Sequence, residues 1–297
     1  MNAAQQPPRY VFVAGLHRTG TSLLARMIGS HPEVATITGS QAPEDEGCYL
    51  QGAIPHTAMH GRPGQYATDL AEHHIEGSEF DRLETQRRLI SDWDRWFTPG
   101  GRWRLEKSPV NLTRMRLYQQ LFPLAQFIVI LRHPEAMAQA LAKWSDRSQF
   151  ELIDYGLDAY DLVARDLDYL HAACVIRYED LVRAPDTMRA ALFAFLDLDD
   201  HVSDDAIRNG NADYSYDGGL GGAHTDRMGA WGYLPEGRVA AFDPIVRHPL
   251  RAIRERVEAK LSEIPLLNTE IAKKNRKLTS VSRPDLRPAH NRRRWTP

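Results

Sequence analysis

The stretch Tyr10-Val-Phe-Val-Ala-Gly15-Leu-His-Arg-Thr-Gly20-Thr-Ser-Leu-Leu24 decides how this chain is read. Tyr10–Ala14 is an apolar run that predicts a buried strand. Gly15 and Gly20 bound a turn, and the spacing of Leu23, Leu24, Met27 and Ile28 predicts a helix that His31-Pro32 stops. Gly15 and Gly20 have the G-x-x-x-x-G spacing of an ATP-binding loop, yet Thr21 stands where a nucleotide triphosphatase needs lysine. The start of such a helix still offers backbone N–H groups and a positive dipole end to an anion. Charge comes from Arg18 within the loop, and hydroxyls come from Thr19, Thr21 and Ser22. The expected guest is an anion other than the triphosphate of a standard ATPase. An ordinary strand-turn-helix with chance hydroxyls is the plain alternative.

Further strands are expected at Val34–Thr38, Trp103–Glu106, Gln126–Leu131 and Cys174–Tyr178. Helical patterns lie between and after them. Leu112 to Leu121 is one, and Pro134 opens another in which Ala136, Met137, Ala140, Leu141 and Trp144 share a face. The patterns continue over Leu157–Leu170 and from Met188 to Leu196, whose helix begins near Pro185. Alternating strands and helices predict an α/β fold with a central parallel sheet covered on both faces. Ligands of such sheets bind beyond the carboxyl ends of the strands. From Ser40 to Phe97 the chain is polar and rich in His, Trp and Tyr, which reads as loops and helices laid over the sheet. The run Asp217–Gly222 reads as a mobile glycine-rich loop rather than a dinucleotide fingerprint.

At 297 residues, with 42% hydrophobic and 26% charged residues, the chain has an ordinary globular composition and length for a substantial core. Its formal charge of −2 is unevenly spread. Ile271–Pro297 holds nine Lys/Arg and one acidic residue, so this end carries +8 and the rest −10. A basic, flexible tail over 269–297 is expected, solvating an end or holding an anionic partner. Cys48 and Cys174 make no disulfide framework. Met1–Arg9 lacks the apolar core of a signal peptide, and the apolar run Phe122–Leu131 is too short to span a bilayer. A cytoplasmic location, no membrane span and no nucleic-acid partner are expected.

Three more motifs fall at expected strand ends. Arg104-Leu-Glu-Lys107-Ser108-Pro109 ends a strand in lysine, hydroxyl and proline. Phe127-Ile-Val-Ile-Leu-Arg132-His133-Pro134 delivers an arginine, suited to bidentate phosphate binding, where an ATPase strand would end in a magnesium-holding aspartate. Val175-Ile-Arg-Tyr178-Glu179-Asp180-Leu181 ends in an aromatic and two acids.

Taken together, these motifs resemble those of the sulfotransferases that use 3′-phosphoadenosine 5′-phosphosulfate (PAPS), bacterial-type enzymes akin to the tyrosylprotein and carbohydrate sulfotransferases. The likeness covers Tyr10 to Leu196, with a weaker echo to about Leu234. H-R-T-G-T-S resembles the 5′-phosphosulfate loop, and L-R-H-P resembles the 3′-phosphate motif. E-K-S-P is similar to the lysine motif of the tyrosylprotein enzymes. R-Y-E-D-L-V-x-x-P resembles a segment whose tyrosine lies near the adenine. The resemblance implies a P-loop NTPase-like three-layer fold, a sulfotransferase domain over 1–268 with an acceptor-side insertion at about 40–100, and no ATP hydrolysis.

It also implies roles. His17, Arg18, Thr19, Gly20, Thr21 and Ser22 would hold the 5′-phosphosulfate, Arg132 the 3′-phosphate, and Tyr178 would border the adenine. Lys107 and Arg18 would stabilise charge on the bridging oxygen. Pro43-Glu44-Asp45-Glu46-Gly47, followed by Tyr49-Leu50-Gln51, resembles an E-x-E-G-x-x-L-Q segment of bacterial members. Glu46 is the preferred base and Glu44 the second. The family usually has serine eight residues after the arginine, where this chain has Ala140, so one 3′-phosphate hydrogen bond is either missing or supplied elsewhere, with Arg227 and His224 as the candidates. The expected reaction moves a sulfuryl group to an acceptor hydroxyl, on a glycan or a small metabolite, leaving adenosine 3′,5′-bisphosphate (PAP) and requiring no metal. A P-loop-fold nucleotide kinase and a non-catalytic nucleotide-binding relative remain as alternatives.

Overall fold

The apolar runs become strands of one sheet in the computed structural model, which describes residues 8–55, 63–202, 207–216 and 220–264. In chain order the strands are β1 (Arg9–Ala14), β2 (Val34–Thr36), β3 (Trp103–Lys107), β4 (Gln126–Leu131), β5 (Ala173–Arg177), β6 (Tyr233–Leu234), β7 (Arg238–Val239) and β8 (Ile245–Arg247). The main sheet has the order β2-β3-β1-β4-β5-β8, while β6 and β7 form a separate pair. β1 to β5 run parallel, and β8 closes the edge antiparallel to β5.

The helices are α1 (Thr21–Gly29), α2 (Leu83–Trp93), α3 (Met115–Leu121), α4 (Pro134–Leu141), α5 (Gln149–Asp166), α6 (Tyr178–Arg183), α7 (Pro185–Phe195), α8 (Gly222–Gly229) and α9 (Arg251–Leu261). Strand residues alternate between faces, so the sheet carries two cores. Phe12, Phe127 and Val129 pack with Trp93, Tyr118, Met137 and Tyr160 on the side of α2 to α5. Val11, Val13, Ile128 and Ile130 pack with Leu24, Met27, Leu192 and Val257 on the side of α1, α7 and α9. Burial on both faces is why β4 reads as a continuous apolar run. The result is a three-layer α/β fold in which a glycine-bounded turn joins β1 to α1. Its parallel strands bring Gly15, Lys107, Arg132 and Tyr178 to one edge, just at or beyond the ends of β1, β3, β4 and β5.

Several boundaries differ from the sequence expectations. β2 stops at Thr36, with Ile37 bridging antiparallel to Phe97 instead of continuing the strand. The expected Leu112–Leu121 helix is a 3-10 turn over Pro109–Thr113 followed by α3, broken where Arg114 takes φ −122°. β5 ends at Arg177, and α6 starts directly at Tyr178 before Pro185 opens α7. Trp144 is not on the buried face of α4, which ends at Leu141; the indole is 51% exposed. α5 begins earlier than its apolar pattern, at a capping box in which Ser148 and Glu151 exchange hydrogen bonds. Within Asp217–Gly222, residues 217–219 lie outside the described residues and Gly222 opens α8. The basic stretch 269–297 also lies outside them. Among the described residues no helix is long and apolar enough to cross a membrane.

Candidate active site

The β1–α1 turn is built for close approach. Gly20 takes φ 104°, a left-handed conformation that side chains resist, and a Cβ there would stand 2.7 Å from the Tyr178 ring. Gly20 also caps α1 without a side chain, and no acidic residue occupies the first turn. The N-terminal N–H groups of the helix therefore keep their anion-binding capacity. Thr19 faces inward, its hydroxyl donating to the Leu16 carbonyl at 2.7 Å. Thr21 is buried and Ser22 half-buried at the helix start. Arg18 is exposed, has φ 68°, and holds its guanidinium 5.0 Å from the centre of the Trp144 ring. His17 meets the Tyr66 ring edge-on, with centroids 5.3 Å apart.

Arg132 leaves the tip of β4 and reaches the same turn. Its Nη1 donates to the Arg18 carbonyl at 2.7 Å and its Nε to Asn211 Oδ1 at 2.8 Å. The guanidinium lies 4.5 Å from the centre of the Tyr178 ring and 5.4 Å from that of Tyr214. The Tyr178 hydroxyl accepts from the Gly210 N–H at 2.7 Å, so one face of the ring meets Gly20 while its tip is held by the 207–216 segment. Neither Arg18 nor Arg132 forms an ion pair with a carboxylate among the described residues. Other buried arginines, such as Arg114 with Glu72 and Arg177 with Asp180, are paired. Two arginines joined through the Arg18 carbonyl, neither paired with a carboxylate among the described residues, attract an anionic ligand to the uncapped helix start.

The third component stands at the tip of β3. Lys107 Nζ is 3.2 Å from Glu46 Oε1 and donates to the Glu44 carbonyl at 3.0 Å. Lys107 is 6% and Glu46 8% exposed, whereas the Glu44 side chain is 64% exposed. Burial pushes the Glu46 carboxyl up to about 7; the Lys107 cation opposes that rise, and the neighbouring Glu106 and Glu44 add to it. A carboxyl held near neutrality within reach of a buried ammonium has the protonation behaviour of a general base. The acidic loop is under backbone strain, since Glu44 and Asp45 have φ 54° and 52°. Asp45 compensates by accepting from both the N–H and the hydroxyl of Ser40.

The structure thus brings Arg18, Gly20, Thr21, Ser22, Arg132 and Tyr178 together, with Lys107 and Glu46 paired at the neighbouring strand tip. It does not bring Arg227 to them. That side chain, on α8, is engaged by Asp158 and Asp161 of α5, and His224 is paired with Asp154. Ala140 is fully buried in α4, so its position supplies packing. Glu179 and Asp180 have structural work: Glu179 accepts from the His133 N–H and from Asn211 Nδ2, and Asp180 holds Arg177 and Arg183. Asn211 and Tyr214, which the sequence reading missed, come from a polar segment without periodicity. Glu106 of the E-K-S-P motif is fully buried beside Lys107 and Glu46.

The family model described as the sulfotransferase family matches residues 8–203, which include the loop, both strand-tip cations and Tyr178. No curated protein matches the chain. Among solved structures, a sulfotransferase from Alicyclobacillus acidocaldarius is similar at 19% identity, covering 86% of this chain and 96% of that one, with a TM-score of 0.46. A sulfotransferase from Mycobacterium avium aligns at 16% identity over 78% of this chain and 79% of that one, with a TM-score of 0.48. A shikimate kinase from Bacteroides thetaiotaomicron aligns at 13% identity over 64% of this chain and 99% of that one, with a TM-score of 0.39. The match over 8–203 takes in most of the chain and all the strand tips that build the site, and on it the chain belongs to the sulfotransferase family.

Proposed function

We propose that the chain transfers a sulfuryl group from PAPS to the hydroxyl of a glycan or small-metabolite acceptor by in-line displacement. The observation that carries this reading is the meeting of Arg132 with the Arg18 turn at the start of α1, two cations without carboxylate partners among the described residues. That arrangement fits a ligand carrying two separate anionic groups, one at the helix start and one at the β4 tip. Gly20 leaves the loop backbone open, and Tyr178 offers an aromatic face beside it.

The donor supplies the sulfuryl group and departs as PAP. Arg132 binds charge that does not change during the reaction, so its contribution is to affinity. Lys107 and Arg18 oppose charge that grows on the bridging oxygen, which lowers the barrier electrostatically. Glu46 accepts the proton of the attacking hydroxyl. Its raised proton affinity suits this role, because a base near the working pH combines availability with driving force. Burial of Lys107 and Glu46 strengthens both effects by excluding water.

PAP binding tests the reading without knowledge of the acceptor. A ligand at about 100 times its dissociation constant stabilises the folded state by about 2.7 kcal/mol. PAP is expected to raise the melting temperature of the wild type and to have little effect on Arg132→Ala. Equal stabilisation of the two proteins would remove Arg132 from the site.

A further inference from the structure

β3 ends in two adjacent ionisable residues that leave opposite faces of the strand, and both reach the same loop. Lys107 meets Glu46. Glu106, fully buried, meets the next residue: its Oε1 accepts from the Gly47 N–H at 2.9 Å. The same carboxylate accepts from the Ser108 hydroxyl and, through Oε2, from Asn111 Nδ2 at 2.6 Å. Ser108 in turn accepts from the Cys48 N–H at 3.1 Å, and Trp93 Nε1 donates to the Gly47 carbonyl at 2.9 Å. Asn111 is anchored to β1 by donating to the Val13 carbonyl at 3.0 Å. Three donors therefore converge on a carboxylate that, among the described residues, contacts no cation directly. An acidic group buried this way is expensive to desolvate and is retained only where its hydrogen bonds are satisfied.

We propose that Glu106 is a positioning residue for the reaction, a buried carboxylate that clamps the 46–48 backbone onto β3 and so holds Glu46 against Lys107. The inference rests on the reading of Glu46 as the base. Gly47 is the other half of the clamp. A Cβ at that position would lie 2.6 Å from Glu106 Oε1 and 2.9 Å from Trp93 Nε1, so only glycine permits this approach. The charged groups facing Glu46 are Lys107, which favours its ionised form, and Glu106 and Glu44, which oppose it. Cys48, Tyr49 and Tyr66 also feel its charge, which adds to burial in raising their own pKa values. Removing the Glu106 charge leaves Glu46 with one fewer anionic neighbour, so Glu46 ionises at lower pH.

The test is the pH profile of kcat/KM for sulfuryl transfer in Glu106→Gln, Gly47→Ala and Glu46→Gln, with PAP affinity measured in parallel. Glu106→Gln is expected to keep PAP affinity, to lose about tenfold or more in kcat, and to move the acidic limb to lower pH. Gly47→Ala breaks the same contact from the loop side with Glu106 intact. It is expected to lose kcat about tenfold or more with PAP affinity kept and to displace the acidic limb from its wild-type position, and it carries the test if Glu106→Gln does not fold. An acidic limb that stays in place in the folded variant, with or without loss of kcat, would reduce Glu106 to a packing role and overturn the proposal. Glu46→Gln separates the two readings. If it removes the acidic limb while Glu106→Gln leaves the limb unmoved, the clamp fails and the base stands. If the limb survives Glu46→Gln, both fail.

Discussion

Glu46→Gln has a consequence for stability that can be worked from the site. Burial raises the Glu46 carboxyl from 4.5 to about 7, so the folded state holds this proton more tightly than the unfolded chain does. Below the unfolded value both states are protonated and the group imposes no penalty. As pH rises through the window from 4.5 to about 7, the unfolded chain releases the proton first, and stability falls until the folded carboxyl has also ionised. At 1.36 kcal/mol for each tenfold change in proton affinity, the full effect is about 3 kcal/mol, of which about 2.5 kcal/mol falls between pH 5 and pH 8. Glutamine has no such dependence. The difference in unfolding free energy between wild type and Glu46→Gln should therefore drift by about 2.5 kcal/mol against the wild type from pH 5 to pH 8, whatever the offset from leaving Lys107 without its partner. Urea unfolding at several pH values measures it directly, and melting temperatures should show a drift of roughly 5–10 °C. Parallel stability curves for the two proteins across this range would refute the buried, proton-avid Glu46.

Other perturbations separate binding from chemistry. Lys107→Ala should lower kcat about 10²-fold or more while PAP affinity changes far less, and since Lys107 favours the ionised form of Glu46, residual activity should show its acidic limb at higher pH. A rise confined to the donor KM would contradict the catalytic assignment. Gly20→Ala combines a left-handed φ with a contact on Tyr178, and should destabilise the protein by about 1–3 kcal/mol and weaken PAP binding. Unchanged melting temperature and affinity would show that the turn tolerates a side chain.

Much of this architecture was legible because it rests on local signals. The β4 run and the Gly15–Gly20 turn announce themselves through continuous burial and glycine spacing, and Pro134 marks the start of α4. Strand-tip residues were readable for the same reason, since a parallel sheet gathers the ends of its strands. The Lys107–Glu46 pairing joins residues 61 positions apart and depends on how a strained acidic loop folds back onto β3. No periodicity encodes such a contact, and the loop was found only through its resemblance to a family segment. Arg227 is a case where sequence shows a cation after a glycine-rich run but not its partners: Asp158 and Asp161, one turn apart on α5, hold it. β8 and the β6–β7 pair escaped because strands of two or three residues carry too little pattern. Trp144 fits the apolar spacing of α4 in sequence, but the helix ends three residues earlier and the indole lies under the Arg18 guanidinium.

The most direct measurement is transfer itself. Purified protein would be incubated with sulfur-labelled PAPS, in EDTA, against a panel of hydroxylated metabolites, glycans and tyrosyl peptides, with products read by mass spectrometry and PAP release followed in parallel. The account predicts a sulfated metabolite or glycan formed with matching PAP release, insensitive to the chelator and lowered about 10²-fold or more in Lys107→Ala. PAP release and product absent across the panel, together with magnesium-dependent turnover of ATP that Lys107→Ala abolishes, would contradict it and return the site to a nucleotide kinase.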